Sequence, residues 1–157
     1  MKTNDILYKI QKALNLTTED MLKAYKLANY SMEAEKLGSL LKRERDTGFV
    51  LCSYEDLGMF LDGLVVLKRG PNPKKSTNDT VVLSNNLILK KLRIALELKE
   101  AETEIVFGLG EVQLSKQQLS SLFRKEGHKN YRECSDELLM VFLDGLDEFY
   151  YIGEQES

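Results

Sequence analysis

Apolar positions recur along this chain at helical spacing, and the whole pattern occurs twice. Ile6, Leu7, Ile10, Ala13 and Leu14 follow the i, i+3, i+4, i+7 rule of a buried stripe and predict a first helix over residues 4–14. Eighty-two residues later Ile88, Leu89, Leu92, Ala95 and Leu96 repeat it. Thr17, with Asp20 three residues on, predicts the start of a second helix, which carries Met21, Leu22, Tyr25, Leu27 and Ala28 and stops at Asn29 or Tyr30. A third is expected over about 33–43, anchored by Leu37, Leu40 and Leu41. Its counterpart begins at a clear capping box, Ser115 to Gln118, with Leu114 and Leu119 placed as a hydrophobic staple.

The repetition is densest in the fourth element. Residues 52–64 read CSYEDLGMFLDGL and residues 134–146 read CSDELLMVFLDGL. Ser53 and Ser135 fit as N-caps, and Leu57, Phe60, Leu61 and Leu64 form one face, as do Leu139, Phe142, Leu143 and Leu146. Gly63 and Gly145 fall inside these helices, where glycine costs about 1 kcal/mol relative to alanine. Their recurrence predicts close helix–helix approach. The chain is therefore expected to be all-α, with about eight helices in two tandem four-helix repeats. Each repeat is marginal in size for a free-standing core, so the two are expected to pack about a pseudo-twofold axis, each with a helix-turn-helix-like corner. The expected boundaries are 1–70 for repeat 1, 71–83 for a basic, proline-containing linker, 84–150 for repeat 2 and 151–157 for an acidic frayed tail.

Composition narrows the function classes. With 43% hydrophobic and 30% charged residues in 157, the chain reads as a soluble globular protein. No apolar run has the length of a membrane span and the first residues lack a signal-peptide pattern, which points to the cytoplasm. The net charge of −3 argues mildly against nucleic acid, although residues 65–84 carry an excess of +3 through Lys68, Arg69, Lys74 and Lys75 against Asp79.

AsnAsnLeuIleLeuLysLysLeuArgIleAlaLeuGluLeuLys at 85–99, LeuPheArgLysGluGlyHisLysAsnTyrArgGluCys at 122–134, PheLeuAspGlyLeu at 60–64 and LysArgGly at 68–70 resemble the bacterial YehS-like proteins, a tandem-repeat family of unknown function. The resemblance covers nearly the whole chain. It implies a small bacterial cytoplasmic protein and brings no activity, cofactor or catalytic residue.

Candidate chemistry is sparse. Cys52 and Cys134 sit just before helix N-caps, where a thiol can be activated or can simply close a staple as a small hydrophobe. Duplication favours the staple. His128, the one histidine, has no partner at a telling spacing, and Asp62 and Asp144 read as solvated or N–H-paired helix residues. No P-loop, Gly-rich dinucleotide turn or His/Cys metal spacing is present, so neither metal nor cofactor is expected.

The favoured reading is a non-enzymatic binding or adaptor module that acts through a protein partner. The alternative is a nucleic-acid binder using the corner at 100–125. It would employ Lys116, Gln117, Gln118, Arg124 and Lys125, with Lys129, Arg132, Lys68 and Arg69 on phosphates. A third reading places an enzyme site in the groove between repeats, with His128 and the thiols as its reactive groups.

Overall fold

The structure, a computed structural model, describes residues 2–71 and 83–156, with side chains as far as Tyr151. Linker residues Lys74 and Lys75, Val81, Val82 and the side chains of the tail beyond Tyr151 lie outside it. Repeat 1 consists of α1 (Thr3–Leu14), α2 (Thr18–Leu27), α3 (Ala34–Leu40) and α4 (Tyr54–Arg69). Repeat 2 consists of α5 (Asn85–Ala95), α6 (Glu100–Leu109), α7 (Lys116–Leu122) and α8 (Asp136–Glu156). Among the described residues there are no strands.

The caps read from sequence are in place. Thr17–Asp20, Ser53–Asp56 and Ser115–Gln118 close reciprocal capping boxes, and the Ser135 hydroxyl accepts from the Leu138 N–H. Helix ends also match across the repeats. Asn15 and Asn29 terminate α1 and α2 in the left-handed region, at φ 53° and 57°. Repeat 2 puts Glu97 and Glu111 at the same places, at φ 53° and 73°. Asparagine tolerates this conformation better than glutamate. Glu111→Asn is therefore expected to stabilise the protein by about 0.5–1 kcal/mol, read as a rise of roughly 1–4 °C in Tm.

α3 is shorter than the 33–43 expected, and long-range contacts explain why. The Ser39 carbonyl accepts from the Val50 N–H, and the Leu40 carbonyl accepts from the Asn4 side chain. Both acceptors are taken by distant groups. Repeat 2 does the same, with Ser121 accepting from the Arg132 N–H and Leu122 from the Asn86 side chain. Asn4 and Asn86 are buried at the start of α1 and α5. Asn4 Nδ2 donates to Leu40 O and Val50 O, each at 2.9 Å, while its Oδ1 accepts from Cys52 N at 2.9 Å. Asn86 makes the same three bonds to Leu122 O, Arg132 O and Cys134 N at 3.0, 2.8 and 2.8 Å. One side chain thus fastens the first helix, the third helix and the loop before the fourth.

Within a repeat the second helix packs on the fourth, α2 on α4 and α6 on α8. An added Cβ at Gly63 would stand 1.7 Å from the Ala24 carbonyl oxygen, and at Gly145 1.9 Å from that of Val106. These glycines let backbone meet backbone. Between repeats the pairing crosses over: α1 lies chiefly against α8, and α5 against α4. The repeats are interleaved about a pseudo-twofold axis and share one buried core.

Candidate functional site

Asp62 and Asp144, read from sequence as solvated or N–H-paired helix residues, lie at the crossing between repeats. The Lys9 ammonium donates to Asp144 at 2.7 Å. Its counterpart Lys91 donates to Asp62. The recurrence of lysine and aspartate at matching positions was the available signal. Arg69 joins the same junction, donating to the Ile94 carbonyl at 2.9 Å and pairing with Glu97 at 3.3 Å. Lys68 lines a shallow cleft of about 240 Å³ where the ends of α1, α4, α5 and α8 meet, with Ala13, Leu14, Ala95, Leu96, Glu97 and Tyr150.

The remaining candidates for nucleic acid lie on α7 and the loop after it. Lys116, Gln117, Gln118, Arg124, Lys125, Lys129 and Arg132 are all exposed. Gln118 is partly committed, since its Oε1 accepts from the Ser115 N–H. Arg124 lines a second cleft of about 270 Å³ with Arg93, Glu100, Leu119, Ser120 and Phe123. Sequence reasoning did not single out Arg93. Its guanidinium lies 4.6 Å from the Phe123 ring centroid and donates to the Leu98 carbonyl. Cation, aromatic ring and a second cation thus converge beside α7, with Glu100 offsetting part of their charge. His128 is exposed in the loop, where Nδ1 accepts from the Asn130 N–H at 3.0 Å.

Cys52 and Cys134 are both free and buried. Burial pushes each thiol up to about 12, and Asp56 adds to the effect at Cys52. Neither is poised as a nucleophile at neutral pH. Each thiol lies against the carbonyl of the following serine, at 3.5 and 3.4 Å.

The repeats differ most in a polar cluster that repeat 1 alone contains. Asp56 is 2% exposed, and its carboxylate is the centre of the cluster. It accepts from the Tyr30 hydroxyl at 2.7 Å and the Ser53 N–H at 3.2 Å, with the Lys36 ammonium 3.4 Å away. The Tyr25 hydroxyl donates to the Asp56 carbonyl at 2.8 Å. Repeat 2 places Phe107, Val112, Gln118 and Leu138 at the matching positions. Burial works against the Asp56 charge, but the Tyr30, Ser53 and Lys36 interactions outweigh it and hold the carboxyl below its ordinary range. The native state therefore binds this proton less readily than the unfolded chain. The resulting stability is complete above the ordinary aspartate pKa of about 3.9 and is lost as pH falls through the lower folded-state value. Urea midpoints of the wild type and Asp56→Asn are expected to converge as pH falls from about 5 to 3.

Among the described residues, no group of three or more His, Cys, Asp or Glu side chains is placed to hold a metal, and no helix is long and apolar enough to cross a membrane.

A family described as a protein of unknown function, DUF1456, matches residues 3–70 and again residues 85–150. An Escherichia coli (strain K12) protein described as uncharacterized protein YehS is 33% identical over 147 residues, spanning 93% of this chain and 94% of its own length. No solved structure matches. With the family pattern present once per structural repeat, the chain belongs to the DUF1456 family.

Proposed function

We propose that this protein is a binding module that engages a protein partner through the corner of repeat 1 leading into α4. The supporting observation is a run of apolar side chains turned to solvent: Val50 at 42%, Leu51 at 64% and Tyr54 at 67% exposure. Repeat 2 carries Arg132, Glu133 and Asp136 at those positions. The fold does not need apolar residues there, because the same backbone is built with charged ones. Exposed aromatic and aliphatic side chains in one short stretch are characteristic of recognition surfaces. A photo-crosslinking residue at position 51 or 54, introduced in the native host, is expected to capture a discrete protein adduct. The same residue at 133 or 136 is the control. Equal capture at all four positions, or none at 51 and 54, contradicts the reading.

The Arg93–Phe123–Arg124 cleft supports a second reading, contact with single-stranded nucleic acid through stacking and phosphate neutralisation. Fluorescence anisotropy with mixed-sequence DNA and RNA tests it. Binding that weakens steeply with salt and is lost in Arg124→Glu/Lys125→Glu supports it, and no binding at low salt removes it.

A further inference from the structure

The surface buried between the repeats presents the same chemistry from either side. α1 contributes Ile6, Leu7, Ile10 and Ala13, and α5 contributes Ile88, Leu89, Leu92 and Ala95, all buried. These sets differ only at Ile10 and Leu92, an exchange of equal volume that packed cores tolerate well. The buried stripes of the fourth helices are identical, Leu57, Phe60, Leu61 and Leu64 on α4 and Leu139, Phe142, Leu143 and Leu146 on α8, while positions beside them differ, with Gly58, Val65, Lys68 and Arg69 on α4 where α8 has Met140, Asp147, Tyr150 and Tyr151. The charges obey the same rule. Lys9 meets Asp144 and Lys91 meets Asp62, so a second copy of repeat 1 in place of repeat 2 would set Lys9 opposite Asp62 twice.

Much of the sequence divergence lies elsewhere. The Tyr25–Tyr30–Asp56 cluster, replaced by Phe107, Val112 and Leu138, sits between helices of one repeat and does not depend on which repeat lies across the axis. Among the described residues, contacts at the edge of the interface do depend on it. Lys12 pairs with Asp147 at 3.7 Å and Arg69 with Glu97 at 3.3 Å. Across the axis from a second repeat 1, Lys12 would find Val65, and Arg69 would find Asn15 in place of Glu97 and Lys12 in place of Ile94, which loses attraction and sets two cations near each other at the exposed edge. Exposed pairs of this kind are worth little each, so the mixed pairing is favoured on the order of tenfold.

We propose that this surface recognises itself, so that each repeat binds the same repeat of a second copy of the chain in the geometry in which it binds its neighbour. An isologous interface of this kind requires that each contact residue meet its own partner type across the twofold axis, and these residues satisfy it.

The test uses the full chain with a protease site inserted between residues 72 and 82. It is folded intact, cleaved, unfolded in urea and refolded with both halves present in equal amounts. Native mass spectrometry then counts the pairs. The mixed pair is expected to dominate, with both self-pairs present at a level lower on the order of tenfold. The same chain carrying Lys9→Asp and Asp62→Lys provides the second arm. Those substitutions put like charges at both ion-pair contacts of the mixed pair and keep opposite charges at both contacts of the repeat 1 self-pair. The ratio of repeat 1 self-pair to mixed pair is then expected to rise at least about tenfold. Recovery of the mixed pair alone from both chains overturns the proposal. So does loss of all pairing in the charge-exchanged chain, because the repeat 1 self-pair should survive there.

Discussion

Replacing Gly63 by alanine is expected to lower stability by about 3 kcal/mol or more, a drop of roughly 6–12 °C in Tm. Gly145→Ala is expected to do the same. Alanine would ordinarily gain about 1 kcal/mol in a helix interior, but the methyl group at residue 63 would lie 1.7 Å from the Ala24 carbonyl oxygen and 2.4 Å from its carbon. Backbone cannot swing aside as a flexible side chain can. Relief requires α2 to move off α4, which separates Met21, Ala24 and Tyr25 from the core they help close. Gly38 on α3 is the control, since nothing lies within 4 Å of its added Cβ. Gly38→Ala should stabilise by up to about 1 kcal/mol. Thermal unfolding of the three variants separates close approach from helix propensity, and a neutral Gly63→Ala would contradict the account of the α2–α4 contact.

Removing the Asn86 amide is expected to cost as much or more. Asn86→Leu leaves the Cys134 N–H and the Leu122 and Arg132 carbonyls without their partner, and each buried polar group left unsatisfied costs about 1–3 kcal/mol. A total of about 3–5 kcal/mol allows for partial solvation of the Arg132 contact. Asn4→Leu should behave alike, because its three bonds are the same. Asn86→Asp gives a sharper readout. It keeps the acceptor for Cys134 N but turns a carboxylate toward two carbonyl oxygens, so the folded state should raise its pKa. The protonated form is then favoured by folding, and the variant should regain stability as pH falls and lose it as pH rises through the raised value. Urea midpoints across pH check the sign.

Much of this fold is legible along the chain. The caps at Thr17, Ser53, Ser115 and Ser135 act locally, within three residues, so sequence reveals them. Recurring glycines in the fourth helices signal close approach because glycine in a helix interior needs a reason. The early end of α3 is not legible, since it depends on Asn4 and Val50, which lie 36 and 11 residues away in sequence. The crossing of α1 onto α8 is hidden for a different reason. With near-identical stripes on α1 and α5 and identical ones on α4 and α8, the pattern does not distinguish pairing within a repeat from pairing across repeats. Lys9 and Asp144 become partners only once that choice is made. Of the candidate site residues, the α7 group is exposed as its polar spacing suggests. The Arg93 contribution depends on the turn that brings α5 beside Phe123.

The two thiols provide one native probe per repeat at equivalent buried positions, Cys52 and Cys134. Because α1 is held by α8 and α5 by α4, neither repeat can open without uncovering the other. Pulsed thiol labelling along a urea titration, with labels counted by mass spectrometry, should therefore show molecules with no label or with two, and one midpoint for both cysteines. A substantial population labelled at only one cysteine, or two separate midpoints, would mean that the repeats stand independently and that the interleaved core described here is not what holds the protein together.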